Sequence, residues 1–292
     1  MRSRVYWAVT ATSSSLLLTS GQRVAAQDQR IAMLNAEQAA AEQSRDSGFA
    51  GAILGSIHRD GILLWPGAPV VAGVSDLKRF LAALQTDSLQ LTWQPLGVEL
   101  AHDSSFGTTW GVAVASARRS AAPEIGSYIA AWRRDGARWA IAALVFAGFP
   151  RLPKPALSGE IPVSRKAIEV RGSGPFVAAD LAFARLAADS GAAVAFERWA
   201  APEAVTFGDR GLLTRGPKAI GRAVDFPAVW RWHPVAAGAA GTGDLGWTVG
   251  EATISSKDAA PTYSKYLTIW TRPGDGAVRF LTDGGNGRPA SP

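Results

Sequence analysis

The chain reads as an α+β protein built of two tandem cone-shaped domains, each three helices packed on a curved antiparallel sheet, and three observations predict this. The first is internal repetition. Asp46-Ser47-Gly48 falls on Asp189-Ser190-Gly191 and Gly73 on Gly216, both at a shift of 143. Trp93-x-Pro95 lies on Trp232-x-Pro234, and Gly107-x-x-x-Gly111 on Gly246-x-x-x-Gly250, at a shift of 139. Tyr128-x-x-x-Trp132 falls on Tyr266-x-x-x-Trp270 at 138, and Asp135-Gly136 on Asp275-Gly276 at 140. So slow a drift means one domain used twice, with small loop insertions. The second observation is order: within each half, helical texture precedes a run of strand texture. The third is composition. At 292 residues, 47% of them apolar and eleven of them Trp, each half has material for its own core.

In the first half, residues 29–45 are rich in Ala, Gln and Glu, with no Gly or Pro, and predict a helix. Asp46-Ser47-Gly48 stops it and restarts a short second helix over residues 49–57. Residues 62–65 predict a strand ended by Pro66-Gly67. Ser75 caps a third helix whose Leu77, Phe80, Leu81 and Leu84 share one face. Strands follow over residues 89–101, 107–117, 126–134 and 138–146, the last two joined by the turn signal Asp135-Gly136. The second half repeats this order. Its helices cover residues 176–188, 192–199 and 217–223, with a strand at 204–207 and four more at 229–237, 245–255, 262–271 and 277–283.

The ends and the join have their own character. Arg2 and Arg4 precede a short apolar stretch over residues 5–18, and Val24-Ala25-Ala26 offers small residues before Gln27. Residues 1–26 therefore predict a cleaved signal peptide, and with it a periplasmic or extracellular location. The stretch is too short to span a membrane and is interrupted by Thr10, Thr12 and Ser13 to Ser15. The first domain is expected over residues 27–147 and the second over 176–286. Between them, residues 148–175 carry Pro150, Pro153, Pro155, Pro162 and Pro175, a semi-stiff linker composition with one alternating stretch at 161–170. Residues 287–292 are expected to be a frayed tail.

The helix ending Ala-Asp-Ser-Gly, the helix start Gly-Pro-Lys-Ala-Ile at 216–220, the strand segment Gly-Trp-Thr-Val-Gly and the final Tyr-x-x-x-Trp, Asp-Gly, Asp hairpin resemble the SnoaL-like branch of the nuclear transport factor 2-like superfamily, with its cystatin-like fold. More narrowly they resemble its exported bacterial domain family of unknown function. The resemblance covers both halves and is closer in the second. It implies a cone between sheet and helices, and copies that pair through their sheet faces, as an intrachain pseudo-dimer or a homodimer. It leaves the chemistry open, because relatives include isomerases, cyclases, dehydratases, toxin-immunity proteins and domains with no known catalysis.

Several function classes find no support. The net charge is +6, but the basic residues are scattered and the densest spots are pairs such as Arg133-Arg134, unlike a nucleic-acid face. There is no Cys, and the three His (His58, His102, His233) are isolated, so no metal site or cofactor is expected. Gly-x-Ser-x-Gly is absent. Gly241-Thr-Gly-Asp-Leu-Gly246 spells a dinucleotide-binding pattern, but a strand rather than a helix follows it, so a hairpin loop is the better account.

The two halves differ where chemistry would reside. The second carries His233, Glu251 and Asp283 in strands, where the first has Gln94, Val112 and Ala143; Asp209 similarly faces Pro66. Glu251 shares a face with Trp247 and Val249, so a proton-shuttling carboxylate and a docking face are both open readings. The candidate catalytic residues are Glu251, Asp283 and His233. Trp230, His233, Trp247, Glu251, Tyr266 and Asp283 are the candidate ligand contacts. Three functions fit: a binder of a small apolar molecule in the second cone, which is preferred; a cofactor-independent isomerase or dehydratase using Glu251 or Asp283 as base, with His233 or Tyr266 polarising a carbonyl; and an interaction module using the sheet face.

Overall fold

The computed structural model describes residues 20–84, 89–117, 122–149, 152, 168–169, 173–207, 211 and 213–290. Most of the expected signal peptide, most of the linker, Asp209 and residues 291–292 lie outside these. The first copy runs α1 (Ser20–Ser47), α2 (Phe49–Ser56), β1 (Ile57–Leu64), β2 (Val71–Ala72), α3 (Val74–Ala83), β3 (Leu89–Leu100), β4 (Phe106–Ala117), β5 (Glu124–Asp135) and β6 (Arg138–Ala147). The expected cleavage point, after Ala26, falls within α1. A short β7 (Ile168–Glu169) precedes the second copy: α4 (Gly174–Ser190), α5 (Ala192–Trp199), β8 (Ala200–Phe207), β9 (Leu213–Arg215), α6 (Pro217–Ala223), β10 (Val229–Ala239), β11 (Leu245–Ser255), β12 (Thr262–Thr271) and β13 (Arg279–Gly287).

The repeated sequence motifs act as repeated structural devices. Gly48 and Gly191 adopt φ of 98° and 92° between the first two helices of their copies, a conformation that costs most side chains but not glycine. Trp-x-Pro marks a bulge in both sheets: the register slips between Pro95 and Gly97, and between Pro234 and Ala236. Proline has no N–H to give the ladder, and the extra residue bends the strand. This bend curves each sheet over its helices.

The strand orders are β2-β1-β6-β5-β4-β3 and β7-β10-β11-β12-β13-β8-β9. Each four-stranded meander is antiparallel. However, β1 joins β6, and β8 joins β13, in parallel, so the sheets are mixed. The whole meander intervenes between those partners, which gives the chain the length a parallel return needs.

Three apolar clusters hold the molecule. One fills the first cone, where Phe49, Trp65, Trp93, Tyr128 and Phe146 pack ring against ring. Another, with Phe176, Phe183, Phe196, Trp270 and Phe280, lies under the helices of the second copy. The third spans both copies, setting Trp110, Ile129 and Val145 against Val205, Leu245, Val249, Leu267 and Ile269. The outer faces of the two sheets therefore pack on each other. Polar contacts fix the alignment. Asn286 Nδ2 donates to Leu64 O (2.8 Å) and Phe146 O (2.7 Å), and buried Lys265 Nζ donates to Trp65 O (2.8 Å). At the far end, the glycine-rich loop at 240–244 docks on the equivalent loop of copy one. Thr242 N–H donates to Asp103 Oδ2 (3.0 Å), Gly241 N–H to Ser105 Oγ (3.2 Å) and His102 N–H to Asp244 Oδ2 (3.1 Å). This loop is a β10–β11 hairpin, as its strand context predicts.

The end of the chain departs from expectation. β13 continues to Gly287, and Arg288 then pairs with Glu251 (3.3 Å) and stacks over Tyr263. Its Gly- and Asn-rich sequence reads as a tail because it lacks apolar side chains. It is held instead by the backbone ladder to β12 and by the amide of Asn286. Among the described residues, no helix is long and apolar enough to cross a membrane.

Candidate functional site

A cavity of about 380 Å³ lies in the second cone, between α4, α5 and α6 and the concave face of the sheet. Phe183 and Phe196 line it from the helices, and Phe207, Trp230, Trp232 and Tyr263 from the strands. Its polar wall includes Thr206, Tyr266, Thr268 and Asp283. Exposed Phe226, 5.5 Å from Trp230 ring to ring, sits at its edge.

The cavity has an identifiable origin in the sequence. In copy one Tyr128 pairs with Phe146, which fills the cone; in copy two the matching Tyr266 pairs with Gly285. Likewise Ala130 pairs with Leu144, whereas Thr268 pairs with Asp283. Asp283 thus stands where copy one has Leu144, not Ala143 as linear alignment suggests. The two final hairpin loops differ in length, and strand pairing resets the register beyond them.

Behind the wall lies a device present in both copies. In copy one, Glu37 of α1 is fully buried and accepts from Thr109 Oγ1 (2.8 Å) and Tyr128 OH (2.6 Å), while Trp132 Nε1 donates to Thr109 Oγ1 (2.9 Å). In copy two, Asp180 of α4 takes that place. It accepts from Tyr266 OH (3.0 Å) and Trp232 Nε1 (2.8 Å) and is bonded to Thr248, which accepts from Trp270 Nε1 (2.8 Å). Burial pushes both carboxyls up, Glu37 to about 7 and Asp180 to about 6. Their hydrogen-bond donors act against that rise: Tyr128 and Thr109 at Glu37, and Thr248, Trp232 and Tyr266 at Asp180. In return, burial and the neighbouring carboxyl push Tyr266 well above its usual value, so its proton stays on the oxygen and is committed to Asp180.

Asp283 is different. Among the described residues, Thr268 Oγ1 is its one donor (2.5 Å), and part of its surface opens into the cavity. Desolvation by the surrounding protein raises it to about 7, and nearby Asp180 adds to the effect. It has unfilled hydrogen-bonding capacity and can exchange a proton near neutrality.

The residues singled out from sequence divide by strand face. Tyr266, Asp283 and Trp230 line the cavity, together with Trp232, which was not among the candidates. His233 and Glu251 do not. They are cross-strand partners on the opposite face, with His233 exposed and Glu251 engaged by Arg288. Trp247 is also on that face, in the core between the copies. It lies over Gly238, where an added Cβ would come within 2.5 Å of its indole nitrogen. Because side chains alternate along a strand, residues 247, 249 and 251 point away from the cone together, which corrects Glu251, His233 and Trp247 as cavity residues. Sequence reasoning missed Glu37 and Asp180. One signal was present: they are acids in the first helix of each copy at the same shift of 143 as Asp-Ser-Gly. Among the described residues, no cluster of three or more His, Asp or Glu is placed to hold a metal ion.

No family model matches this chain, and neither does any curated protein. Solved structures do. Nuclear transport factor 2-like proteins are similar in fold to about two fifths of this chain. A nuclear transport factor 2-like protein of unknown function from Pseudomonas putida is 14% identical, with 39% of this chain and 84% of that one covered at a TM-score of 0.34. One with a cystatin-like fold from Novosphingobium aromaticivorans is 15% identical, covering 40% and 81% at 0.34. The Δ5-3-ketosteroid isomerase of Mycobacterium sp. is 16% identical, covering 38% and 91% at 0.32. Spans of this size correspond to one copy. Likeness at these identities and scores says nothing of activity.

Proposed function

We propose that this is an exported binding protein that takes a small, largely apolar molecule into the cone of its second copy, with the first copy as a closed scaffold. The supporting observation is the cavity itself: an aromatic chamber of about 380 Å³ whose wall carries the carboxyl of Asp283 and, unbonded among the described residues, the indole N–H of Trp230. Apolar walls with few polar groups characterise small-molecule pockets, typically about 300–1,000 Å³. Burial of the Trp230 and Trp232 rings against a ligand supplies a direct readout. Titration with phenethyl alcohol should change tryptophan fluorescence saturably, and Ala252→Phe, which projects a ring into the chamber, should abolish the response. An unaltered response in that variant would place binding elsewhere and defeat the reading.

The carboxyl of Asp283 favours a second reading, a cofactor-independent proton-transfer enzyme. Its raised pKa suits an acid–base group near neutrality, although the Tyr266 proton is committed to Asp180 instead of a substrate carbonyl. Incorporation of solvent deuterium into a bound cyclic ketone, lost in Asp283→Asn, is the result this reading requires. Incorporation no faster than in buffer would end it.

A further inference from the structure

Among the described residues, the charged groups that face into or lie directly behind the cavity are acidic. Asp283 opens into it, and Asp180 lies immediately behind Tyr266. Among the described residues, Lys265 is the one Lys or Arg on the wall, and its ammonium group is turned away. It donates to Trp65 O, Gly287 O and Asn286 Oδ1 at the junction with copy one. Among the described residues, the carboxyl of Asp283 therefore has no cationic partner, an arrangement that a buried carboxylate pays for unless a counter-ion arrives. The remaining walls are ring faces and edges set across one another. Phe183 meets Trp232 at 4.7 Å and 73°, and Phe196 meets Trp230 at 5.9 Å and 72°. Crossed rings expose π-faces to a guest from several directions, and such faces attract organic cations. A carboxylate ligand would meet repulsion from Asp283 with no compensating positive group among the described residues.

We propose that the second-copy cavity selects a small apolar organic cation, an alkyl- or arylammonium, over neutral and anionic molecules of the same shape, with Asp283 as its counter-ion and the crossed rings as its cage. This rests on the reading of the cavity as a small-molecule site and deepens it. The groups facing Asp283 are uncharged Thr206 of β8, Thr268 and Tyr266 of β12, and Asp180 of α4. Among the described residues, the ammonium therefore competes with no other cation there.

The test uses the full chain and three matched probes: phenethylamine, phenethyl alcohol and hydrocinnamate, titrated by tryptophan fluorescence and calorimetry. At about pH 8 the amine should bind at least about tenfold tighter than the alcohol, and the carboxylate weakest of all. Asp283→Asn should reduce the amine-to-alcohol ratio to about twofold or less. The wild type supplies a second measurement that does not depend on the variant's folding. Amine affinity should rise about tenfold from about pH 5.5 to about pH 8 as the carboxyl ionises, while alcohol affinity does not rise. An alcohol that binds as well as the amine, an amine preference that persists in Asp283→Asn, or a flat pH profile would overturn the inference and leave the cavity reading standing. If neither alcohol nor amine binds, the cavity reading fails and the inference falls with it.

Discussion

Glu37 offers the cleanest quantitative test, because it lies in the closed copy, away from the cavity. Its carboxyl is fully buried, accepts two hydroxyl donors on Oε1 and, among the described residues, has no donor to Oε2. Burial raises it from the usual 4.5 to about 7. The native state therefore holds this proton where the unfolded chain has released it. Stability is greatest at low pH, and declines as pH rises from the unfolded value toward the folded one. Between about pH 5.5 and about pH 8 this site alone should cost the wild type about 2 kcal/mol. Glu37→Gln keeps the shape and the acceptor for Tyr128 and Thr109 but cannot ionise. Its amide leaves buried N–H groups without partners, a penalty that does not vary with pH, so absolute stability is the wrong observable and the slope is the right one. Urea unfolding of both proteins across this pH range, followed by tryptophan fluorescence, should show the stability difference moving by about 2 kcal/mol in favour of the variant as pH rises. Parallel pH profiles would refute the argument, showing either that Glu37 ionises freely in the fold or that water reaches it.

Other consequences follow from the same geometry. Tyr266→Phe removes a donor from Asp180, so the variant should lose about 1–2 kcal/mol, and more at about pH 8 than at about pH 5.5, where Asp180 holds its proton; denaturation at the two pH values checks this. Lys265→Met removes the second donor from Trp65 O and Gly287 O, which keep the N–H groups of Ala68 and Gly67, and also the donor to Asn286 Oδ1; urea midpoints should show a loss of about 1–3 kcal/mol. Gly285→Ala would place a Cβ 2.4 Å from the carbonyl oxygen of Lys265, so β13 must shift; thermal unfolding should report a loss of about 1–3 kcal/mol, and an unchanged midpoint would show that the strand yields freely. Asp283→Leu restores the residue that copy one carries at this position and should stabilise the protein above pH 7 while reducing ligand binding, measured together by denaturation with and without phenethylamine.

The tandem arrangement was legible because its signals are local. Gly48 and Gly191 break helices, Pro95 and Pro234 bulge strands, and Asp135-Gly136 turns a hairpin, each through chemistry confined to a few neighbouring residues. The strand following Gly246 likewise settled the glycine-rich loop as a hairpin. The candidate site was half legible. Parity along β11 grouped Glu251 with Trp247 and Val249 correctly, but parity does not say which side of a sheet is the cone. That depends on what covers each face: helices on one, the other copy on the opposite side. Glu37 and Asp180 were hidden for another reason. An acid on a helix ordinarily marks its wet face, and the hydroxyl and indole donors that make these two tolerable inside come from strands distant in sequence.

The duplication also explains how the second cone comes to hold an aromatic cavity. In each copy the final strand stands at the boundary between the cone and the junction, and its residues alternate between the two. In copy one this strand gives Leu144 and Phe146 to the cone, and the space is filled by its own side chains. In copy two the same positions are Asp283 and Gly285, which withdraw apolar volume from the cone and leave a carboxyl in it. Withdrawing volume from a core costs stability, and the junction side of β12 and β13 supplies compensating contacts. Asn286 caps two carbonyls of copy one, and Lys265 reaches a third. The open cone is thus braced from behind by the closed one, so a variant that loosens the junction should weaken the cavity even though no cavity side chain has changed.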